Sequence, residues 1–254
     1  MFRQIINKIA ALKYYQTDQK GIINRYFNEN ENWNNHLQNS KDYILNCLPD
    51  QNLDNLAVLG SGWLLDVPID ELLKRTKKLT LIDIHHPKEI INKYKHNQQI
   101  TFCTVDLTNG LVEAAKSSKT FTDFLKFQKT AKPLINFDNY SFVISLNLLN
   151  QLDILLCDLL MKRFNIKEDE LLDIRKSIQT NHLKSLQKGK SCVITDYEEI
   201  NYINSIADGV TKSLIFADLS NLKIEKDWLW TFDTHKTYKK KNYTTFKVFG
   251  GVIY

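Results

Sequence analysis

The sequence contains few cysteines, and they are not spaced like metal ligands. The four residues, Cys47, Cys103, Cys157 and Cys192, lie far apart and form no Cys-x-x-Cys pair. That spacing argues against a zinc site and against a disulfide framework, so we predict no bound metal ion. Chains without disulfides are typical of reducing compartments, and we therefore expect a cytoplasmic location.

Long hydrophobic runs are also lacking. No stretch reaches the roughly 18 consecutive apolar residues of a membrane span, so we predict no membrane contact. The segment MFRQIINKIAALKYY has apolar residues at helical spacing, but Arg3, Lys8 and Lys13 interrupt it, which makes it a poor signal peptide. The formal net charge of +5 allows a nucleic-acid partner, although the lysines are spread along the chain rather than clustered.

From residue 56 onward, short apolar runs alternate with segments of helical periodicity. Such alternation is typical of a parallel sheet with helices on both faces. The last two runs are separated by the eight-residue loop HKTYKKKN, which is too short for a crossover helix, so they must pair antiparallel. The runs predicted as strands are 56–60, 79–85, 100–107, 140–149, 190–197, 227–234 and 243–254.

The first 50 residues have a different pattern. Ile5, Ile6, Ile9 and Leu12 recur at helical spacing, and the polar, Asn-rich stretch 28–39 breaks the periodicity. We therefore predict an N-terminal helical cap at residues 1–50 and an α/β domain at residues 51–254. The predicted fold is a mostly parallel, seven-stranded, doubly wound sheet that ends in an antiparallel hairpin.

Polar and flexible residues follow the predicted strands at the ends where open α/β sheets bind ligands. The first strand ends in Gly60-Ser61-Gly62, where missing side chains let a ligand lie against the backbone. The second ends in Asp83, whose carboxylate can accept hydrogen bonds from both hydroxyls of a ribose. The third ends in Asp106, which can accept from an exocyclic amine. Either acid can instead be a helix cap.

This series of a glycine turn followed by two acids resembles the class I S-adenosylmethionine-dependent methyltransferases, a family of transferases with a Rossmann-like domain. The resemblance covers roughly residues 56–254, including the terminal hairpin, which the family has as its reversed last strand. It implies S-adenosyl-L-methionine as the cofactor. The cofactor-binding positions that it implies are Gly60, Ser61, Gly62, Asp83, Ile84, Asp106, Leu107 and Asn147.

Three positions depart from the family's pattern. Val58 stands where the family carries an acidic residue two positions before the first glycine. Trp63 and Leu64 stand where it has a third small residue. Asp66 is close enough in sequence to replace the missing acid.

The catalytic residues are not identified by any motif, and four candidates lie near the strand ends. Asn147 and Asn150 follow the fourth strand at a spacing that brings them to one face of a helical turn. Asp196 and Tyr197 close the fifth strand, where an acid can deprotonate an acceptor or attract a cationic one. Helix capping and solvated acids are the structural alternatives for these positions.

Three functions remain open on the sequence alone. The first is a methyltransferase, with a small-molecule acceptor slightly favoured because the Asn-Pro-Pro-aromatic signature of adenine methylation is absent. The second is a methyltransferase-like module that has lost catalysis and binds a partner, as Val58 and Trp63 suggest. The third is an oxidoreductase that binds an NAD-type dinucleotide, although Leu65 replaces the third glycine of that fingerprint.

Overall fold

The computed structural model describes residues 2–203 and 209–254, with side chains for residue 17 and from residue 19 onward. Its strands are β1 (Leu53–Leu59), β2 (Thr76–Asp83), β3 (Ile100–Thr104), β4 (Phe142–Leu146), β5 (Ser191–Tyr202), β6 (Val210–Ser213), β7 (Leu222–Asp233) and β8 (Tyr243–Ile253). Its helices are α1 (Phe2–Cys47), α2 (Ile69–Arg75), α3 (Lys88–Tyr94), α4 (Leu111–Ser117), α5 (Phe121–Thr130), α6 (Ile154–Phe164) and α7 (Leu172–Ser185). A short 3-10 helix, Asp169–Leu171, precedes α7.

The strands form one sheet in the order β3-β2-β1-β4-β5-β8-β7. Strands β1 to β5 are parallel, whereas β8 runs antiparallel to both of its neighbours, β5 and β7. The predicted seven-stranded sheet with its terminal hairpin is therefore confirmed. The short strand β6, which pairs antiparallel with β5 outside this order, was not predicted.

Helices cover both faces of the sheet, as a doubly wound fold requires. On one face, α1 and α2 pack over a core that includes Val58, Leu72 and Ile144. On the other face, α7 packs over a core that includes Leu59 and Val193, and α4, α5 and α6 join it in a third apolar cluster. Along β1, Val58 and Leu59 thus face opposite sides of the sheet, which is why that strand is apolar throughout.

The helical regions differ from the prediction mainly after β3. The segment after β3, predicted as one helix to about residue 127, forms two. The segment predicted as helical over about 150–188 is divided at Asn165, where the sequence also indicated a break, because the left-handed φ of 55° at this residue ends α6. The predicted break at 28–39 is present as a kink at Glu29 (φ −118°, ψ 17°), after which the chain continues as helix to Cys47. Trp33 and Ile44 pack onto the sheet there, and this burial overrides the weak helix propensity of the asparagines.

The kink is fixed by the buried carboxylate of Glu29. It accepts hydrogen bonds from Asn32 Nδ2 (2.7 Å) and from the backbone N–H groups of Thr234 (2.6 Å) and His235 (3.0 Å). The loop between β7 and β8 is thereby attached to the middle of α1.

Within the described ranges, no helix combines the length and the apolarity that crossing a bilayer would need.

Candidate functional site

The glycine turn after β1 lies against the ends of two neighbouring strands. The N–H of Gly60 donates to the carbonyl oxygen of Ile82 in β2 (2.9 Å). Gly60 has a φ of +75°, and a Cβ at that position would lie 2.5 Å from the carbonyl oxygen of Leu146 in β4. Only glycine fits there, because both the backbone conformation and the close approach of β4 exclude a side chain.

Asp83 closes β2 and binds this turn directly. Its Oδ2 accepts the N–H of Gly62 (2.8 Å), and its Oδ1 accepts the N–H of His85 (3.2 Å). Burial raises the pKa of Asp83, and these N–H bonds together with His86 oppose the shift. Asp83 and the predicted turn Gly60-Ser61-Gly62 therefore meet at the edge of the sheet beside β1.

Asp106 lies at the same edge after β3, and it is partly engaged in a local turn. Its Oδ1 accepts from the N–H of Thr108 (2.8 Å) and from the Thr108 hydroxyl (2.6 Å). This turn is not the helix cap that the sequence left as an alternative, because α4 begins after Gly110, and it occupies one of the two carboxylate oxygens. Ile84 is half-buried beside Asp83. Leu107 lines a shallow depression with Asn109.

Two amides on the turn after β4 each hold a carboxylate from a neighbouring segment. Asp66 lies in the loop after β1, and Asp196 lies within β5, which continues to Tyr202 and does not close at Asp196 as predicted. Asn147, in the left-handed conformation (φ 47°), donates through Nδ2 to Oδ2 of Asp66 (2.7 Å). Asn150 donates through Nδ2 to Oδ2 of Asp196 (2.9 Å) and accepts from the hydroxyl of Thr195 (3.2 Å). We call the four residues Asp66, Asn147, Asn150 and Asp196 the edge cluster.

Both carboxyl groups of the edge cluster have raised pKa values. Burial raises the pKa of Asp66 to about 6, against the opposing effects of Lys41 and Asn147. Burial raises the pKa of Asp196 to about 7, and the charges of Asp66 and Glu199 raise it further. Carboxyl groups that titrate near neutral pH are typical of sites that exchange protons with a ligand.

The edge cluster contains acceptor atoms without partners. Within the described residues, Oδ1 of Asp196 and Oδ1 of Asn147 are buried and make no hydrogen bond, and the same holds for the hydroxyl of Ser61 in the glycine turn. Asp196 is only 3% exposed and Ser61 only 2%. Buried polar atoms are normally paired, so these atoms indicate a place for a polar ligand.

Tyr197 is not brought together with the other candidates. It follows Asp196 directly on β5, so its side chain points to the opposite face of the sheet, where its ring contacts Phe249 at a centroid distance of 5.6 Å. The adjacent candidates Asp196 and Tyr197 therefore belong to different sides of the sheet.

Helix α1 lies over the glycine turn, which the sequence did not predict. The indole N–H of Trp63 donates to the carbonyl oxygen of Gln19 in α1 (2.8 Å). The side-chain nitrogen of Gln19 would be 3.7 Å from a Cβ at Gly62. Trp63 thus uses its polar atom to attach the turn to the helix. Val58 is fully buried in the core, where an acid would have no water and no partner.

A second pair that sequence reasoning missed lies behind β4. Oγ of Ser145 is 2.8 Å from Nε2 of His182 in α7, and both side chains are buried. Burial lowers the pKa of His182 to about 4, so the ring is neutral at pH 7 and the contact is a structural hydrogen bond. His182 stands among polar residues of a helix, and nothing in its sequence context marks it.

The raised pKa of Asp196 predicts a pH-dependent stability. A carboxyl group whose folded-state pKa lies above its unfolded value contributes stability below about pH 4, which is lost as the pH rises through about 7. We expect Asp196→Asn to remove this loss. The free energy of unfolding of the variant minus that of the wild type therefore increases between about pH 4 and about pH 8. The difference is on the order of 4 kcal/mol at most.

Urea unfolding of both proteins across this range measures the effect. The buried histidines His36 and His182, whose pKa values are lowered, act in the opposite direction, but they are present in both proteins and cancel in the difference. Parallel stability curves would contradict the assigned burial of an ionisable Asp196.

Comparison of this chain with known proteins gives matches among solved structures alone. No family model matches it, and no curated protein matches it. Similar solved structures include the N-methyltransferase NodS from Bradyrhizobium japonicum WM9, with 10% identity over 87% of this chain and 99% of that chain and a TM-score of 0.41.

Two further structures have comparable values. The 1,6-didemethyltoxoflavin-N1-methyltransferase of Burkholderia thailandensis, with bound 1,6-didemethyltoxoflavin and S-adenosylhomocysteine, is 9% identical over 95% of this chain and 89% of that chain (TM-score 0.44). A chain of the complex between the Haloferax volcanii Trm112 methyltransferase activator and the putative methyltransferase is 11% identical over 95% of both chains (TM-score 0.43). The strand order and the reversed strand β8 give this chain a Rossmann-like, doubly wound fold with one antiparallel strand.

Proposed function

We propose that this protein is an S-adenosylmethionine-dependent methyltransferase, with a small molecule favoured as the acceptor. The observation that carries the proposal is the hydrogen bond from the Gly62 N–H to Asp83. It joins the glycine turn after β1 to the acid after β2 at the carboxyl edge of the sheet, beside the point where the strand order reverses between β1 and β4. Ligands of open α/β sheets bind at that point.

The residues at this edge fit such a cofactor. A carboxylate has about four lone-pair positions, and Asp83 uses one oxygen for Gly62 and the other for His85, so it keeps capacity for two ribose hydroxyls. Asp106 keeps one oxygen for an adenine amine. The unpartnered hydroxyl of Ser61 and Oδ1 of Asn147 lie in the two turns that flank the same edge. When bound, the cofactor supplies a methyl group already activated on a sulfonium.

This chain's own residues mainly position and enclose the ligand. A methyl group on a sulfonium needs no further activation by the protein, so alignment and exclusion of water contribute most to such a reaction. The contact of α1 with the turn, through Trp63 and Gln19, supplies the enclosure.

The same enclosure favours a second candidate function, a module of this fold that binds a protein partner without catalysis. Ser61 and Asp83 are almost fully buried, and Trp63 attaches the turn to α1. A ligand must displace part of α1 to reach them. If that displacement is too costly, the turn is only a structural connection.

Binding of S-adenosylhomocysteine distinguishes the two functions. We expect saturable binding by the wild type and roughly 10- to 100-fold weaker binding by Asp83→Ala, because hydrogen bonds to a charged group contribute about 1.5–3 kcal/mol. Isothermal titration calorimetry measures both affinities, and thermal unfolding verifies that the variant is folded.

Asp54→Ala is the matched control. Asp54 lies at the opposite end of β1 and forms an exposed ion pair with Lys77, so its loss leaves the affinity unchanged. If the wild type shows no saturable binding at millimolar ligand, or if Asp83→Ala binds as well as the wild type, the methyltransferase proposal fails and the partner module is favoured.

A further inference from the structure

The edge cluster has hydrogen-bond acceptors without donors, and this imbalance points to one class of ligand. Its unpartnered atoms, Oδ1 of Asp196 and Oδ1 of Asn147, are both acceptors. Each cluster carboxylate already receives one amide N–H, from Asn150 or Asn147. What the cluster lacks is therefore a hydrogen-bond donor.

It also lacks a bonded cation. Among the ion pairs formed by described residues, none includes Asp66 or Asp196. Lys41 on α1 acts on Asp66 only through its field, and Lys239 pairs with Glu199 instead. A buried carboxylate without a cationic partner is costly, and a positively charged ligand removes that cost.

We propose, building on the methyltransferase function above, that the methyl acceptor is an amine, bound as its ammonium by Oδ1 of Asp196. An ammonium has up to three N–H donors and one positive charge, so it supplies both the hydrogen-bond donor and the cation that the edge cluster lacks. A hydroxyl has a single donor and no charge. A carboxylate or phosphate would be repelled by Asp66 and Asp196.

Asp196 then also takes the proton that the amine must lose. The N–H bond breaks, its electron pair stays on nitrogen as the lone pair of the neutral amine, and the proton moves to Oδ1 of Asp196. A carboxyl group that titrates near neutral pH can accept this proton and release it again. Asn150 holds the other oxygen, so that Oδ1 remains directed at the ligand.

Binding measurements with S-adenosylhomocysteine at saturation test this proposal. A panel of primary and secondary amines, each matched with the alcohol of the same carbon skeleton, is titrated and observed by saturation-transfer NMR. We expect at least one amine to bind while its alcohol does not. Asp196→Asn weakens that amine roughly tenfold or more without changing the affinity for S-adenosylhomocysteine. The matched control Glu198→Gln, on the same strand but paired with Lys247, leaves both affinities unchanged.

The pH dependence of the amine affinity distinguishes direct binding by Asp196 from a purely structural role, which would not change with pH in this way. The affinity for the ammonium rises through about pH 7 in the wild type, as Asp196 ionises. In Asp196→Asn this rise is lost, and only the ionisation of Asp66 near pH 6 still raises the affinity. The other charged groups that act on the cluster, Asp66, Glu199 and Lys41, are retained in the variant.

Three outcomes would overturn the inference: no amine of the panel binds, alcohols bind as well as amines, or amines compete with S-adenosylhomocysteine. The last result would assign the cluster to the ammonium at the cofactor's own amino-acid end. All three assume that S-adenosylhomocysteine binds. Its failure to bind refutes the methyltransferase function itself, so the two failures are distinguishable.

Discussion

Replacing Arg175 by methionine is expected to lower the free energy of unfolding by about 3–5 kcal/mol, the usual cost of removing one partner of a buried ion pair. Arg175 in α7 donates through Nε to Asp153, which precedes α6, and Asp153 is completely buried. Gln179 donates to the other oxygen of Asp153 (3.2 Å). Without the guanidinium, Asp153 keeps only this amide, and its charge is left uncompensated in the interior.

Urea unfolding measures the loss, and two comparisons assign it to the buried charge. Lys77→Met removes an ion pair with Asp54 whose side chains are 77% and 71% exposed, and it changes stability by less than about 1 kcal/mol. The double variant Arg175→Met with Asp153→Leu removes both charges and recovers most of the stability, because an apolar pair can replace a buried ion pair. A double variant as unstable as the single one would contradict this explanation.

Replacing Trp33 by alanine is expected to cost about 3–5 kcal/mol, as for other large aromatic side chains in cores. Trp33 is only 1% exposed. Its indole N–H donates to the carbonyl oxygen of Phe232 (2.9 Å), and its ring stacks on Phe232 (5.4 Å) and meets Trp230 edge to face (4.8 Å). The substitution therefore removes apolar burial, an aromatic cluster and a hydrogen bond together.

Thermal and urea unfolding of Trp33→Ala and Trp33→Phe measure this contribution, and Trp33→Phe keeps part of the packing but loses the hydrogen bond. Phe27→Ala on the same helix is the control, because Phe27 is 69% exposed and its loss costs little. A loss in Trp33→Ala no larger than in Phe27→Ala would show that α1 is not anchored by this cluster.

Much of the fold could be predicted because the apolar pattern changes clearly at each strand. The run before Gly60 and the run before Asp83 are short and apolar, and such runs indicate buried parallel strands. The antiparallel pairing of β7 and β8 followed from the length of their connection alone. In contrast, β6 (Val210–Ser213) is exposed along its whole length and has no apolar pattern that could reveal it.

The site could be predicted only where neighbours in the sheet follow from strand ends. Gly62 and Asp83 meet because parallel strands end at one edge. The bonds of Asp66 to Asn147 and of Trp63 to Gln19 depend on loop and helix conformations that no local pattern specifies. The candidate Tyr197 stood beside Asp196 in the chain, and the alternation of side chains along a strand places it on the other face.

The position of β8 between β5 and β7 has a consequence for how the chain folds. Strand β7 reaches the sheet only through β8, and α1 packs against β7 through contacts such as that of Trp33 with Phe232, 199 residues away. Contacts this distant in sequence form slowly. During synthesis, α1 leaves the ribosome long before its partner strands exist. The part of α1 that packs on β7, including Trp33, therefore stays uncovered on the nascent chain until β7 and β8 have joined the sheet, and a chaperone could bind it during that interval.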